Sequence, residues 1–207
     1  MSVLLINGSP HSKGCTYTAL SAVAEQLKKN GLAATMLQVG TKPVRGCIAC
    51  GKCAESGHCV FTDDPVNEGI DLLREAEALV VGAPVHYAGP CASACALLDR
   101  MFFRKSGPYA HKPAAAVVSC RRGGASASFD RLNKYFTIAR MPVVSSQYWN
   151  AVHGNTPDEV RQDREGLQIM RALGDNMAWL VKCIAAGKAA GIAPPAPEEW
   201  EPTNFVR

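Results

Sequence analysis

Short apolar runs, each closed by turn residues and followed by a stretch with helical spacing, recur along this chain. That alternation limits the fold more than any other feature. The first run is Val3-Leu4-Leu5-Ile6, closed by Asn7-Gly8-Ser9-Pro10. A run apolar on both faces and ended this way reads as a buried parallel strand. Thr16 to Asn30 then carries Leu20, Val23, Ala24 and Leu27 at helical spacing, and Gly31 ends it. Thr35 to Val39 reads as a second strand. Asp64-Pro65 reads as an N-cap with proline at the first helical position, before a short helix over Glu68 to Glu75. Ala78 to Pro84 is a strongly apolar third strand. A helix near Cys91 to Phe103, a fourth strand over Ala114 to Ser119, a helix over Ser126 to Ala139 and a fifth strand over Pro142 to Ser146 continue the pattern. Thr156-Pro157-Asp158-Glu159 matches a capping box. It opens one long last helix to about Ala186, with Leu167, Met170, Leu173, Met177, Leu180 and Ile184 on one face.

Strict alternation of strand and helix implies an α/β fold, a doubly wound five-stranded parallel sheet with helices on both faces. One domain over residues 1–190 is expected, interrupted by a cysteine-rich loop at 44–64. A Pro-rich tail at 191–207, with Pro194, Pro195 and Pro197, would lie along the surface or reach a partner subunit. The 207 residues, 47% of them hydrophobic, suffice for a sizeable core. The net charge of +4 is spread out, with no basic run beyond Lys28-Lys29 and Arg121-Arg122, which argues against a nucleic-acid partner. No window approaches the roughly 20 apolar residues of a membrane span, and the N-terminus lacks the marks of a signal peptide. A cytoplasmic protein with no membrane partner is the expectation. Nine cysteines there point to cluster, metal or redox roles before disulfides.

In such a sheet the ligand lies beyond the carboxyl ends of the strands, where strand order reverses. The loops after strands one, three and four therefore belong together. The first, Gly8 to Thr16, offers hydroxyls at Ser9, Ser12 and Thr16 and the free amides of a helix start, which suit a phosphate dianion. It is neither a Walker A loop nor a dinucleotide fingerprint. The second, Ala83 to Gly89, presents His86 and Tyr87, an aromatic pair able to lie against a flat ring. The third, Ser119 to Gly124, adds Arg121 and Arg122 and the closely approachable backbone of Gly123 and Gly124. An ordinary turn remains the plain alternative for each loop taken singly.

Cys47, Cys50, Cys53 and Cys59 follow a C-x2-C-x2-C-x5-C spacing. Thiolates this close on one loop suit the corners of a [4Fe–4S] cubane. Zinc, a redox-active dithiol from one C-x-x-C pair, and unliganded thiols stay open beside it. Cys91, Cys95, Cys120 and Cys183 read as small buried hydrophobes. Tyr148, Trp149 and His153 are either ordinary surface and core residues or neighbours of a bound ring.

Ile6-Asn-Gly-Ser-Pro-His-Ser-Lys-Gly-Cys-Thr16 resembles the phosphate loop of the NADPH-dependent FMN reductase branch of flavodoxin-like proteins, which includes the iron–sulfur flavoproteins. Pro84 to Tyr87, Leu98-Asp99-Arg100, Val152-His153-Gly154 and Asp163 to Gln168 are similar to its later segments, so the resemblance runs to about Ile184. The cysteine spacing falls within that of the iron–sulfur flavoproteins. The resemblance implies FMN, with phosphate held by Ser9, His11, Ser12, Cys15 and Thr16. The ring would lie between Pro84, Val85, His86 and Tyr87 on one side and Ser119, Arg121, Arg122, Gly123 and Gly124 on the other. The family often has Arg or Lys where His11 stands and Asn where Cys15 stands, which implies weaker or more pH-dependent phosphate binding here. The implied activity is an FMN-dependent oxidoreductase that accepts a hydride from NAD(P)H and passes electrons to a small-molecule or protein acceptor. No catalytic side chain is required, because the flavin carries the chemistry. The alternatives are an electron carrier reduced by ferredoxin and a non-enzymatic redox sensor. A homodimer or homotetramer is expected, since a ring at the sheet edge needs cover.

Overall fold

A computed structural model describes residues 1–103, 107–199, 201 and 205. The strands are β1 (Ser2–Asn7), β2 (Ala33–Gln38), β3 (Ala78–His86), β4 (Gly89–Pro90), β5 (Ala114–Cys120) and β6 (Ala151–His153). The helices are α1 (Cys15–Lys29), α2 (Cys53–Ser56), α3 (Val66–Glu75), α4 (Ala92–Phe102), α5 (Ala125–Ile138), α6 (Pro157–Gln162) and α7 (Arg164–Ala189). Among the described residues the parallel strands lie in the order β2-β1-β3-β5-β6, and β4 pairs antiparallel with the end of β3. This is the doubly wound arrangement expected from the alternation, and the flavodoxin-like one that the family resemblance implies. Strand order reverses between β1 and β3.

The two-residue period of a strand sorts β1 cleanly between two cores. Leu4 and Ile6 pack with Ile70, Leu73, Leu97, Met101 and Phe136 beneath α3, α4 and α5. Val3 and Leu5 pack with Val23, Leu27, Ile169, Leu173 and Met177 beneath α1 and α7. Helices therefore cover both faces of a sheet whose central strand is almost wholly buried.

Two elements differ from the sequence expectation. The fifth strand is Ala151–His153, not Pro142–Ser146. The earlier segment does run beside β5, with the Ala114 amide donating to the Pro142 carbonyl and the Val144 amide to that of Ala114. It then leaves the sheet, because Ser146 folds a turn on itself: its hydroxyl accepts from the Tyr148 amide and donates to the Tyr148 carbonyl. Asn150 brings the chain back, its carbonyl accepting from Val118 and its side-chain amide donating to Ala116. The last helix, expected as one piece, is two. Asp163 ends α6 with its amide and starts α7 with its carboxylate, which accepts from the Gly166 amide at 2.9 Å and the His153 amide at 2.7 Å. A short side chain that satisfies amides outside the helix competes with continuation. The capping box of Thr156 and Glu159 forms as the sequence implies. Of the cysteines expected to be buried, Cys91 and Cys120 are, whereas Cys95 is half-buried and Cys183 is exposed. Among the described residues no helix is long and apolar enough to cross a membrane.

α1 and α7 cross where Gly174 faces Gln26 and Val23. A Cβ at Gly174 would lie 2.7 Å from the Gln26 Cβ and 3.2 Å from the Val23 carbonyl oxygen. Alanine should gain about 1 kcal/mol of helix propensity there. Forcing the helices apart costs about 1–3 kcal/mol, so the clash prevails. Gly174→Ala is expected to lower the thermal midpoint by a few degrees in a melting experiment. A raised midpoint would contradict the crossing.

Candidate functional site

The carboxyl ends of β1, β3 and β5 carry the three loops singled out by sequence. In the first, Asn7 ends β1 fully buried and organises the turn around itself. Its carbonyl oxygen Oδ1 accepts from the Ser9 amide, and its Nδ2 donates to His11 and Gln38. Gln38, at the end of β2, donates in turn to the Ser9 carbonyl at 2.6 Å. The Ser9 hydroxyl is buried and accepts from the His11 amide at 3.1 Å. His11 and Ser12 are exposed. Gly14 precedes α1 without any side-chain cap, and the first turn of that helix carries no acidic residue. The positive end of the helix dipole therefore opens on this loop with no counter-charge from its own first turn.

The second loop is a two-residue hairpin turn between β3 and β4. Tyr87 and Ala88 hold φ near +50° and +60°, where asparagine and glycine usually stand. Each such residue costs about 1–2 kcal/mol, and strain of this sort clusters where a ligand is gripped. The turn holds the Tyr87 ring fully out in solvent. Pro84 and Val85 are half-buried beneath it, and His86 is exposed.

The third loop places Arg121, Arg122 and Gly123 in solvent and Gly124 at the start of α5, a second helix without a side-chain cap. Gly124 has φ +90°, and a Cβ on it would lie 2.7 Å from both the Ala88 Cα and a Val85 methyl. Loops two and three thus touch through a glycine. Loops one and three join by the buried hydrogen bond between the Thr16 and Ser119 hydroxyls, at 2.8 Å. Thr16 reaches Ser119 by lying over Gly82 of β3, where any Cβ would meet the Thr16 methyl at 2.9 Å and Leu20 at 2.7 Å. The structure brings Ser9, Thr16, Val85, Ser119 and Gly124 into one connected rim. Cys15 stands at its edge, its thiol toward the Gly154 carbonyl.

Burial pushes the thiols of Cys15 and Cys120 up from their ordinary value, with Glu159 and Asp163 respectively adding to the rise. Both are neutral thiols at neutral pH and not nucleophiles. Beyond the third loop lies a cleft of about 400 Å³ lined by Arg122, Gly124, Tyr148, Trp149, Asn150 and His153, among others. Tyr148 and Trp149 are exposed on its wall rather than part of the core. The buried Asn150 Oδ1 finds no partner among the described residues.

The cysteine loop lies apart from this rim. Cys47, Cys50, Cys53 and Cys59 line one recess of about 20 Å³, with Ile48, Val60, Phe61 and Phe103 among its walls. Every cysteine is a free thiol, and no three Cys, His, Asp or Glu side chains among the described residues stand close enough to share a metal ion. Four soft sulfur donors around an apolar recess nevertheless suit an iron–sulfur cluster. Asn67 of α3 fixes Cys59, accepting from its amide at 2.7 Å and donating to its carbonyl at 3.0 Å. Arg74 donates to the Gly57 carbonyl at 2.7 Å, and His58 pairs with Asp71. Arg100, buried on α4, pairs with Asp64 and donates to Cys59 Sγ. Burial works against its charge, but the hydrogen bonds to Asp64 and Cys59 outweigh that and raise its pKa above the ordinary arginine value.

The sequence assigns no place in the site to Asn7, Gln38, Gly82, Asn150 or Asp163, although Asn7 closes the first apolar run and Asp163 falls in a segment of the family resemblance. A polar residue ending an apolar run marks Asn7, and glycine inside a strand marks a close approach at Gly82. No sequence signal marks Asn150.

The sheet order and the three loops define a flavodoxin-like fold with its switch point at β1 and β3. A flavodoxin from the domain Archaea superposes with a TM-score of 0.59 at 16% identity, covering 88% of this chain and 99% of that one. A Paracoccus denitrificans flavoenzyme, an NAD(P)H:(acceptor) oxidoreductase, superposes with a TM-score of 0.61 at 16% identity, covering 88% and 97%. Residues 1–156 match the family model described as NADPH-dependent FMN reductase. An iron–sulfur flavoprotein of Methanocaldococcus jannaschii is 30% identical over 192 residues, which is 89% of this chain and 99% of the relative. The chain belongs to the NADPH-dependent FMN reductase family of flavoproteins.

Gly123 and Gly124 form a matched test of the loop contact. A Cβ on Gly123 meets nothing within 4 Å, whereas one on Gly124 meets backbone at a positive φ. Gly124→Ala is expected to destabilise the protein by at least about 1 kcal/mol, and Gly123→Ala to stay within roughly 0.5 kcal/mol. Equal denaturation midpoints would show that loops two and three do not touch.

Proposed function

We propose that this protein is an FMN-dependent oxidoreductase that accepts a hydride from NAD(P)H and delivers electrons to a separate acceptor. The observation that carries this reading is the connected rim. Three loops are tied by the Thr16–Ser119 hydrogen bond and the Gly124 contact, with two uncapped helix starts opening beside it. Membership of an FMN reductase family supports it. Bound FMN would supply hydride acceptance and stepwise electron release.

The chain's part is to bind and orient. The first-turn amides of α1 would donate to the terminal phosphate, aided by Ser9, His11, Ser12, Cys15 and Thr16. Pro84, Val85, His86 and Tyr87 would support one side of the ring. Ser119, Arg121, Arg122, Gly123 and Gly124 would support the other, the two arginines adding positive potential toward an anionic cosubstrate. Neutral Cys15 and Cys120 keep negative charge away from the phosphate. Exposed Tyr87, Tyr148 and Trp149 beside the site suit cover by a second copy of the chain, as a homodimer or homotetramer. Nine free cysteines suit a reducing compartment such as the cytoplasm.

Cys47, Cys50, Cys53 and Cys59 would hold a [4Fe–4S] cluster on the outgoing electron path. The shared recess and the naming of the Methanocaldococcus relative as an iron–sulfur flavoprotein support this. A second reading, a carrier reduced by ferredoxin, is favoured by the exposure of Cys47 and Cys50, which puts the cluster within reach of a protein donor. Turnover of NADPH with a quinone separates the two.

Ser9→Ala should weaken FMN binding by about 1.5–3 kcal/mol, or roughly 10- to 150-fold in a fluorescence titration. Ser128→Ala should leave it unchanged, since that hydroxyl is buried in α5 without a partner among the described residues. Equal affinity in both variants would place the phosphate elsewhere. Anaerobically purified protein should contain about four iron per chain, from the stoichiometry of the cluster. Cys53→Ala should lose the iron and keep FMN. Zinc or no metal in the anaerobic protein would refute the cluster while leaving the flavin reading intact.

A further inference from the structure

Arg100 is the largest fully buried side chain among the described residues, and its guanidinium makes four hydrogen bonds. Asp64 and the Arg45 carbonyl take Nη1, the latter at 3.3 Å, and the Phe61 carbonyl takes Nη2 at 3.2 Å. Nε–H points at Cys59 Sγ from 3.2 Å. Three oxygen acceptors alone would suffice to anchor the loop. A buried ion pair is also a weak stabilising device, because desolvation offsets most of its attraction. The layout has a direction: the carboxylate sits at one end of the guanidinium and the sulfur at the other. Asp64 is itself fixed, since its Oδ1 accepts from the Val66 amide at the start of α3.

The position of Arg100 is set by a helix and not by the loop it contacts. At the other end of the same helix, Cys91 Sγ donates to the Gly8 carbonyl at 3.1 Å and Ser93 Oγ to the same oxygen at 3.3 Å. With a rise of 1.5 Å per residue, Cys91 and Arg100 lie about 14 Å apart along the axis. One rigid element therefore roots on the proposed phosphate loop and reaches the cysteine recess.

We propose that Arg100 is a positioning residue for the cysteine centre: its Nε–H···Sγ bond to Cys59 favours the more reduced state of a cluster held there, and Asp64 opposes it. The inference rests on the cluster reading above. Taking up one electron, without a proton, makes the centre one unit more negative. A cation and a hydrogen-bond donor at a ligating sulfur stabilise that state and raise the reduction potential, while a nearby carboxylate lowers it.

The test uses anaerobic, iron-loaded protein titrated spectroelectrochemically, following the iron–sulfur signal. Arg100→Lys keeps a charge but loses the Nε donor, and its cluster potential should fall. Asp64→Asn keeps the Val66 contact and removes the opposing charge, so its potential should rise. A residue that only fastens the loop gives no such opposite signs. Wild-type protein carrying 15Nε-arginine should show a nitrogen hyperfine coupling in the reduced cluster, absent in Arg100→Lys. That measurement on the wild type decides the matter if either variant fails to fold or to hold iron. Unshifted potentials, shifts of the same sign, or no arginine coupling in the wild type would overturn the role of Arg100 while leaving the cluster in place. Iron-free wild-type protein would overturn the cluster reading, and this assignment with it.

Discussion

A side chain is missing from the sheet at Gly82, in the middle of its central strand, and α1 comes down onto the sheet there because nothing stands in the way. Gly82 lies between Asn7 of β1 and Val117 of β5 in register. Thr16 can therefore lie across β3 and bond Ser119 on the strand beyond it. Any larger residue would lift the start of α1 and part the first loop from the third. The uncapped amides of α1 point where they do because this approach is so close. Gly8 serves the same end from beside it: a Cβ there would lie 2.7 Å from Ala94, so α4 also packs directly on the loop.

Most of the fold was legible in the sequence because buried parallel strands are apolar throughout and short. Val3 to Ile6, Ala78 to Pro84 and Ala114 to Ser119 have no other reasonable home. The fifth strand was not legible, since three residues carry no period and the more apolar Pro142–Val144 also touches β5. The break at Asp163 was hidden because its carboxylate, besides capping α7 locally through the Gly166 amide, takes the His153 amide, which only the fold brings near. The three loops could be chosen from topology alone, but the ties between them could not. A left-handed Tyr87-Ala88 turn lacks the usual asparagine and glycine, and a hydrogen bond across 103 positions leaves no local trace.

The cysteine loop obeys a different logic. It has a single turn of helix, α2, with no buried residue in it, so its shape is borrowed from neighbours. Asn67 and Arg74 of α3 and Arg100 of α4 hold its backbone through side-chain hydrogen bonds. That division explains how a loop added after β2 can be positioned without disturbing the sheet. It also places the sulfur donors against α4, the helix that touches the first loop at its other end.

The central claim is that the three loops form one FMN site. Amide chemical shifts of isotopically labelled protein, followed as FMN is added, test it most directly. The account predicts that the largest changes fall together on residues 9–17, 85–89 and 120–125, saturating at one flavin per chain. Changes confined to one of these segments, or centred instead on residues 39–42 and 62–68, would contradict it.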